Sequence, residues 1–86
     1  MVAKPITIRV LTSAGLVMED QAVSVRAPGT VGYLGILSNH APLVTTLQPG
    51  VLTWRHQGGG TKTLRIGAGL LEVARNQVTV LTEAVA

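Results

Sequence analysis

β-Branched residues crowd into short runs along this chain, and glycine or proline cuts nearly every run. Val, Ile and Thr make up roughly 30% of the residues, side chains that suit a pleated, half-buried surface. A helix would need apolar residues at i, i+3, i+4 and i+7 over some three turns. That spacing is absent, and the breakers leave few windows in which it could develop. The chain is restricted to short strands joined by tight turns.

Read in order, the strands follow from alternation. Ile6 to Thr12 places Ile6, Ile8 and Val10 on one face and Thr7, Arg9 and Leu11 on the other. Ser13-Ala14-Gly15 turns the chain. A second run passes from Leu16 through Met18 to a polar break at Glu19-Asp20-Gln21. A third covers Ala22 to Ala27, with Val23 and Val25 inward, and Pro28-Gly29 ends it. Val31 to Leu37 follows, weakened by Gly32 and Gly35. Further strands cover Leu43 to Leu47, Val51 to His56, Thr61 to Ile66, Leu70 to Ala74 and Gln77 to Thr82. The turns between them are Gln48-Pro49-Gly50, Gln57-Gly58-Gly59-Gly60, Gly67-Ala68-Gly69 and Arg75-Asn76. Eight to ten short strands with turns at such intervals imply an antiparallel sandwich or barrel. At 86 residues the chain reads as one domain, residues 1–86.

Composition narrows function more than fold. Only 13% of residues are charged, about half the usual share, while 47% are hydrophobic. A small domain with so little charge is expected to cover part of its outer surface with another protein. With no cysteine, disulfides, thiolate metal sites and thiol nucleophiles are excluded. The net charge of +3 comes from scattered basic residues, and the only aromatic residues are Tyr33 and Trp54, so nucleic-acid binding is not expected. No stretch approaches the ~20 apolar residues of a membrane-spanning helix.

Few groups could carry chemistry. Glu19 and Asp20 are adjacent, so on an extended segment they point to opposite faces and cannot act as a matched pair; they read as solvating a turn. His40 and His56 lack the neighbouring ligands of a metal site. His56, beside the glycine tip, reads as exposed. For His40 three readings stand: a ring nitrogen bonds the backbone and fixes its turn, the ring contacts a partner, or, as a remote third, it acts as a general base. Ser38 has no nucleophile elbow around it, and Gly58-Gly59-Gly60 lacks the lysine of a phosphate loop. Trp54 falls on the apolar face of its strand and reads as a core anchor. The residues alone indicate a binding or assembly module with no catalytic residues, no metal and no cofactor.

The most shaped segment is Gly35-Ile36-Leu37-Ser38-Asn39-His40-Ala41-Pro42-Leu43, followed by Leu47-Gln48-Pro49-Gly50. It resembles the Gly-Ile-x-Pro-x-His-Ala-Pro-Leu…Leu-x-x-Gly signature of the rotary ATP synthase epsilon subunit family. Gly67-Ala68-Gly69-Leu70-Leu71-Glu72-Val73 and Val78-Thr79-Val80-Leu81 resemble two further segments of that family. The resemblance implies an all-β fold, a ten-stranded antiparallel sandwich of two five-stranded sheets. It implies a central-stalk subunit with no chemistry of its own, linking the gamma subunit to the c-ring and coupling ion movement to ATP synthesis or hydrolysis. The implied partners are gamma, the c-ring and, through the stalk, the catalytic alpha/beta head. The implied place is peripheral, on the cytoplasmic face of a bacterial membrane with the chloroplast thylakoid as the less favoured alternative, reached only through the complex. An unrelated β-sandwich adaptor is the competing reading.

By position, the resemblance implies gamma contacts at His40, Ala41, Pro42 and Leu43, and c-ring contacts at Gly32, Tyr33 and Leu34. Two departures stand out. Ser38 replaces the family's proline, and its side chain is expected to cap the turn instead. Tyr33 stands where many members carry an acid, so an aromatic contact replaces a charged one. The chain stops at Ala86, after the sandwich, so no ATP site and no helix-mediated inhibition are expected within it.

Overall fold

A computed structural model describes residues 4–86, which form eight β-strands and no helix. The strands are β1 (Ile6–Thr12), β2 (Gly15–Gly29), β3 (Gly32–Leu37), β4 (Leu43–Leu47), β5 (Gly50–His56), β6 (Thr61–Ile66), β7 (Gly69–Ala74) and β8 (Gln77–Thr82). The all-β expectation holds, and most boundaries fall where the turn residues put them.

Eight strands are formed, and the continuity of β2 accounts for one of the two by which this differs from ten. The expected break at Glu19-Asp20-Gln21 lies inside a strand of 15 residues. Its first half pairs antiparallel with β1, from Gly15 opposite Thr12 to Ala22 opposite Ile6. Its second half pairs with β3 on one side and β5 on the other. The strand therefore crosses from one layer of the sandwich to the other. At the crossing, Ala22 opposes His56 and Ser24 opposes Arg55, which leaves Val23 as an extra residue. Such a bulge bends the strand and switches the face on which later side chains emerge. The inward positions are consequently Ala22 and Val25, both buried, and not the expected Val23.

One pairing is parallel. β1 runs alongside β8, with Thr7 opposite Gln77 and Leu11 opposite Leu81, so the sheet is not wholly antiparallel as expected. β8 continues through β7 to β4, and β6 pairs with β5. An antiparallel bridge between Ile66 and Val85 ties the chain's last residues to β6. The strands form one continuous eight-stranded sheet, β1-β8-β7-β4-β2-β5-β6 with β3 on β2, which folds over as the layers β4-β7-β8-β1 and β3-β2-β5-β6 of a sandwich.

The core lies between them. Ile8, Val10, Leu71, Val73, Val78 and Val80 come from the first layer; Val25, Ile36, Leu52, Trp54 and Ile66 come from the second. The period-two alternation of each strand delivers them inward. Each large aliphatic side chain removed from water contributes about 1.5–3 kcal/mol. Gly69 shows how tight one layer is: a Cβ there would stand 2.0 Å from the Leu81 carbonyl oxygen.

Candidate interaction surfaces

The sandwich has two ends, and the expected contact residues divide between them. Gly32, Tyr33 and Leu34 open β3 at one end, after the turn at Thr30 and Val31. Gly32 has a φ of 132°, a backbone region that glycine reaches without strain. Tyr33 is 46% exposed, and Leu34 is half-buried against the core. The Tyr33 hydroxyl accepts a hydrogen bond from the Val51 N–H at 3.3 Å, and the Arg26 guanidinium lies 4.5 Å from its ring centroid. Cation–π stacking of this kind orients both side chains.

His40 to Leu43 follow β3 at the other end. The five residue steps of β3 separate the two groups by roughly 16 Å. They are two surfaces, not one. Asn39 adopts a φ of 63° and is clasped to the turn between β7 and β8. Its N–H donates to the Asn76 side-chain oxygen at 2.6 Å, and the Asn76 amide donates back to the Asn39 side chain at 3.1 Å. Asn76 and Arg75 themselves have φ values of 59° and 53°, the backbone of a two-residue hairpin turn.

Within that segment the His40 Nδ1–H donates to the Ala41 carbonyl at 2.6 Å, so the backbone-bonded reading of His40 is realised. Ala41 and Pro42 are exposed, and Leu43 packs partly against the core. The expected cap at Ser38 is not made. Its hydroxyl oxygen is buried without a hydrogen-bond partner among the described residues. A Ser hydroxyl caps only where a backbone N–H comes within reach, and none does here.

Beyond Leu43, the outer face of β4, β7 and β8 exposes three aliphatic side chains among Thr46, Glu72 and Thr79. Val44 is 67% exposed, Leu70 47% and Leu81 50%. Leu70 and Leu81 stand directly opposite each other, and Val44 opposes Glu72 one row away. Exposed single aliphatics are ordinary, but a side-by-side set on one face is the mark of a covered surface. Period two made these positions visible as outward-facing, while only strand order shows that they adjoin.

A third cluster went unseen in the sequence. Asp20 faces inward at the corner where β2 crosses the layers. Its carboxylate accepts from Trp54 Nε1–H at 2.8 Å, from His56 Nδ1–H at about 3.0 Å and from the Gln21 N–H at 2.8 Å. Lys62 Nζ lies 3.4 Å away. The Trp54 hydrogen bond is the chief influence holding the Asp20 carboxyl down at about 2; burial acts against it, and the Gln21 and His56 bonds assist. His56 is half-buried in this cluster, not exposed as its place beside the glycine tip suggests. Glu19 points outward and pairs with Arg9 at 3.0 Å. The two acids do lie on opposite faces, but neither solvates a turn. The cluster is a clamp between layers: its carboxylate is saturated by fixed donors and has no open position for a substrate.

Among the described residues no three His, Asp or Glu side chains gather as a metal site would require.

The sequence model of the ATP synthase, Delta/Epsilon chain, β-sandwich domain family matches residues 5–86. An ATP synthase epsilon chain from Moorella thermoacetica is 38% identical over 78 residues, which are 91% of this chain and 58% of that one. Another, from Acidithiobacillus ferridurans, is 43% identical over 81 residues, covering 94% and 57%. The chain thus spans somewhat more than half the length of these relatives. Among solved structures, a chain of the Euglena gracilis mitochondrial ATP synthase OSCP/F1/c-ring assembly superposes with a TM-score of 0.89 over all of this chain and 55% of its own. A chain of the Tetrahymena thermophila mitochondrial ATP synthase central stalk and c-ring gives 0.77, covering 100% and 69%. At 19% and 13% identity these two likenesses speak to the fold.

Proposed function

The chain belongs to the ATP synthase delta/epsilon β-sandwich family, and on that premise we propose that it is a non-catalytic central-stalk subunit of a rotary ATP synthase. It would link the gamma subunit to the c-ring and transmit torque, coupling ion movement to ATP synthesis or hydrolysis in the alpha/beta head. The carrying observation is the apolar outer face formed by Leu70, Leu81 and Val44, which a free monomer has no use for. Val44 adjoins the His40–Leu43 connection where it enters β4, and the gamma contact runs from that turn along β4 to Leu70 and Leu81, which lie beside Thr46. The c-ring contact is the other end, at Gly32, Tyr33 and Leu34, where Tyr33 offers an aromatic surface.

The same reading sets the finer architecture and the location. With β2 counted once in each layer and the Ile66–Val85 bridge counted as a strand, the sandwich is ten-stranded with five strands per sheet. Residues 1–86 are one such domain. It sits peripherally on the cytoplasmic face of a bacterial membrane, through the complex alone, and uses no cofactor.

Tagged protein mixed with purified gamma subunit tests the proposal. Retention of gamma above that on an unrelated β-sandwich supports it; equal retention removes it. For the c-ring contact, a Tyr33→Ala variant that leaves ring association and coupling unchanged removes the role given to Tyr33.

A further inference from the structure

The layer opposite the apolar face turns a different chemistry outward. On β2, β5 and β6 the outward positions include Arg26, Arg55 and Arg65, all exposed. None of the chain's four carboxylates shares this face. Glu19 is paired with Arg9, and Asp20 is held by Trp54 and His56. Glu72 lies on β7, and Glu83 follows β8 against Gly67. Neither Arg26 nor Arg55 has an ion-pair partner among the described residues.

This face is also grooved. A depression of about 370 Å³ runs across β3, β2 and β5, with Arg26 and Arg55 on its walls. Gly35 makes it possible. It stands between Tyr33 and Leu37 on β3 and directly opposite Arg26, and a Cβ placed there would meet nothing within 4 Å. The Tyr33 ring holds the Arg26 guanidinium at the groove's edge, so little freedom remains to be lost on binding. At the far end Leu37 is 65% exposed.

The spacing selects the ligand. Arg26 opposes Thr53 while Arg55 opposes Ser24, so the arginines are diagonal neighbours. Diagonal neighbours on a sheet face stand about 7–8 Å apart. Alternate residues of an extended chain stand roughly 6.5–7 Å apart on the same side. Two carboxylates at positions i and i+2 of an extended segment can each meet one guanidinium, and each can be bidentate. We propose that this groove binds an extended acidic segment of a partner protein, with carboxylates at alternate positions and an apolar residue against Leu37. An anionic membrane fits less well, since it rewards a projecting cluster of about 4–8 basic residues and this surface is a recess. A single-stranded nucleic acid would need a free aromatic platform, and Arg26 already covers Tyr33.

The test uses a fluorescein-labelled peptide of alternating Glu and Thr ending in Leu, with a Gln-for-Glu control peptide. Fluorescence anisotropy against the 86-residue chain reads binding. The Glu peptide is expected to bind and the Gln peptide not. Arg26→Ala and Arg55→Ala should each weaken binding about tenfold. Gly35→Val, which fills the groove without touching a charge, should weaken it as strongly while the circular dichroism spectrum is retained. Leu37→Glu, at an exposed site, provides the same reading if the valine variant does not fold. Equal binding of both peptides overturns the proposal. So does Glu-peptide affinity that neither Gly35→Val nor Leu37→Glu reduces, which would mean undirected charge attraction. Arginine-dependent binding of phosphatidylglycerol vesicles with none of the peptide overturns it in favour of a membrane surface.

Discussion

The two layers follow one strand grammar, yet they differ in what each shows the solvent, and one glycine in each, Gly69 and Gly35, sits in opposite surroundings. In the β4-β7-β8-β1 layer, neighbouring strands approach so closely at Gly69 that no side chain fits, and the outer surface exposes the aliphatics Val44, Leu70 and Leu81 beside Glu72 and Thr46. In the β3-β2-β5-β6 layer, Gly35 of β3 borders open space, and the outer surface is basic. The same residue type is required at Gly69 and optional at Gly35; elsewhere in the second layer it is again required, since a Cβ at Gly29 would stand 2.7 Å from the Gly32 carbonyl oxygen. Glycine marks a backbone collision at position 69 and a vacancy at position 35.

Substitutions at these two glycines break the comparison most directly. Gly69→Ala should have the largest effect, since its Cβ would meet the Leu81 carbonyl at 2.0 Å and rigid backbone must move. A loss of several kcal/mol is expected, of the order seen for overpacking at its upper end. Gly35→Ala, by contrast, should change stability by less than about 0.5–1 kcal/mol, with gain as natural as loss because glycine is a poor strand former. Urea unfolding of the pair measures both. Equal losses would show that the two sites do not differ in the way described.

Next in size is the clamp that joins the layers. Asp20→Asn replaces a carboxylate held by three N–H donors, and about 2 kcal/mol of stability should be lost at pH 7. The sign with pH follows from the carboxyl, which is lowered from 3.8 to about 2. A lowered folded-state value means that the stabilisation is complete above about pH 4 and disappears as pH falls through about 2. Urea curves followed by the fluorescence of Trp54, the only tryptophan, should therefore converge for the native chain and Asp20→Asn in acid. A gap that stays constant down to pH 2 would deny Asp20 its role.

Leu81→Lys should leave folding within about 0.5 kcal/mol, because the side chain is half exposed, and weaken gamma binding about tenfold or more. The matching change on the other layer, Arg55→Ala, should leave gamma binding where it was. The smallest effect belongs to Ser38→Ala. It removes a buried hydroxyl with no partner and should raise stability by up to about 1 kcal/mol, seen as a higher melting temperature.

These contrasts also show which parts of the molecule the sequence discloses. Strand positions were legible because alternation and turn residues are local: β1, β4, β6 and β8 begin and end where their residues indicate. β2 was misread for a physical reason. Glu19 and Gln21 are polar because they face outward and Asp20 because it bonds Trp54, so a paired strand imitates a break. The fate of His56 was hidden for the same cause, since its partner lies 36 residues away. Local pattern also cannot reveal that Leu70 and Leu81 adjoin, or that Gly35 opposes Arg26, because both depend on which strands become neighbours. The family resemblance supplied the architecture that alternation alone left between sandwich and barrel.

The parallel pairing of β1 with β8 carries a consequence for synthesis. Thr7 can find Gln77 only after 70 further residues have been made, so the first strand must wait with one edge unsatisfied until β8 emerges from the ribosome. Folds dominated by such distant partners typically form in milliseconds to seconds, slowly for their size. During that wait the nascent chain can close the β2–β3 and β5–β6 hairpins, whose partners are near in sequence, and the β4-β7-β8-β1 layer is completed last. The surface proposed to meet gamma would therefore be finished only once β8 has been made, which leaves a half-made sandwich little to dock with.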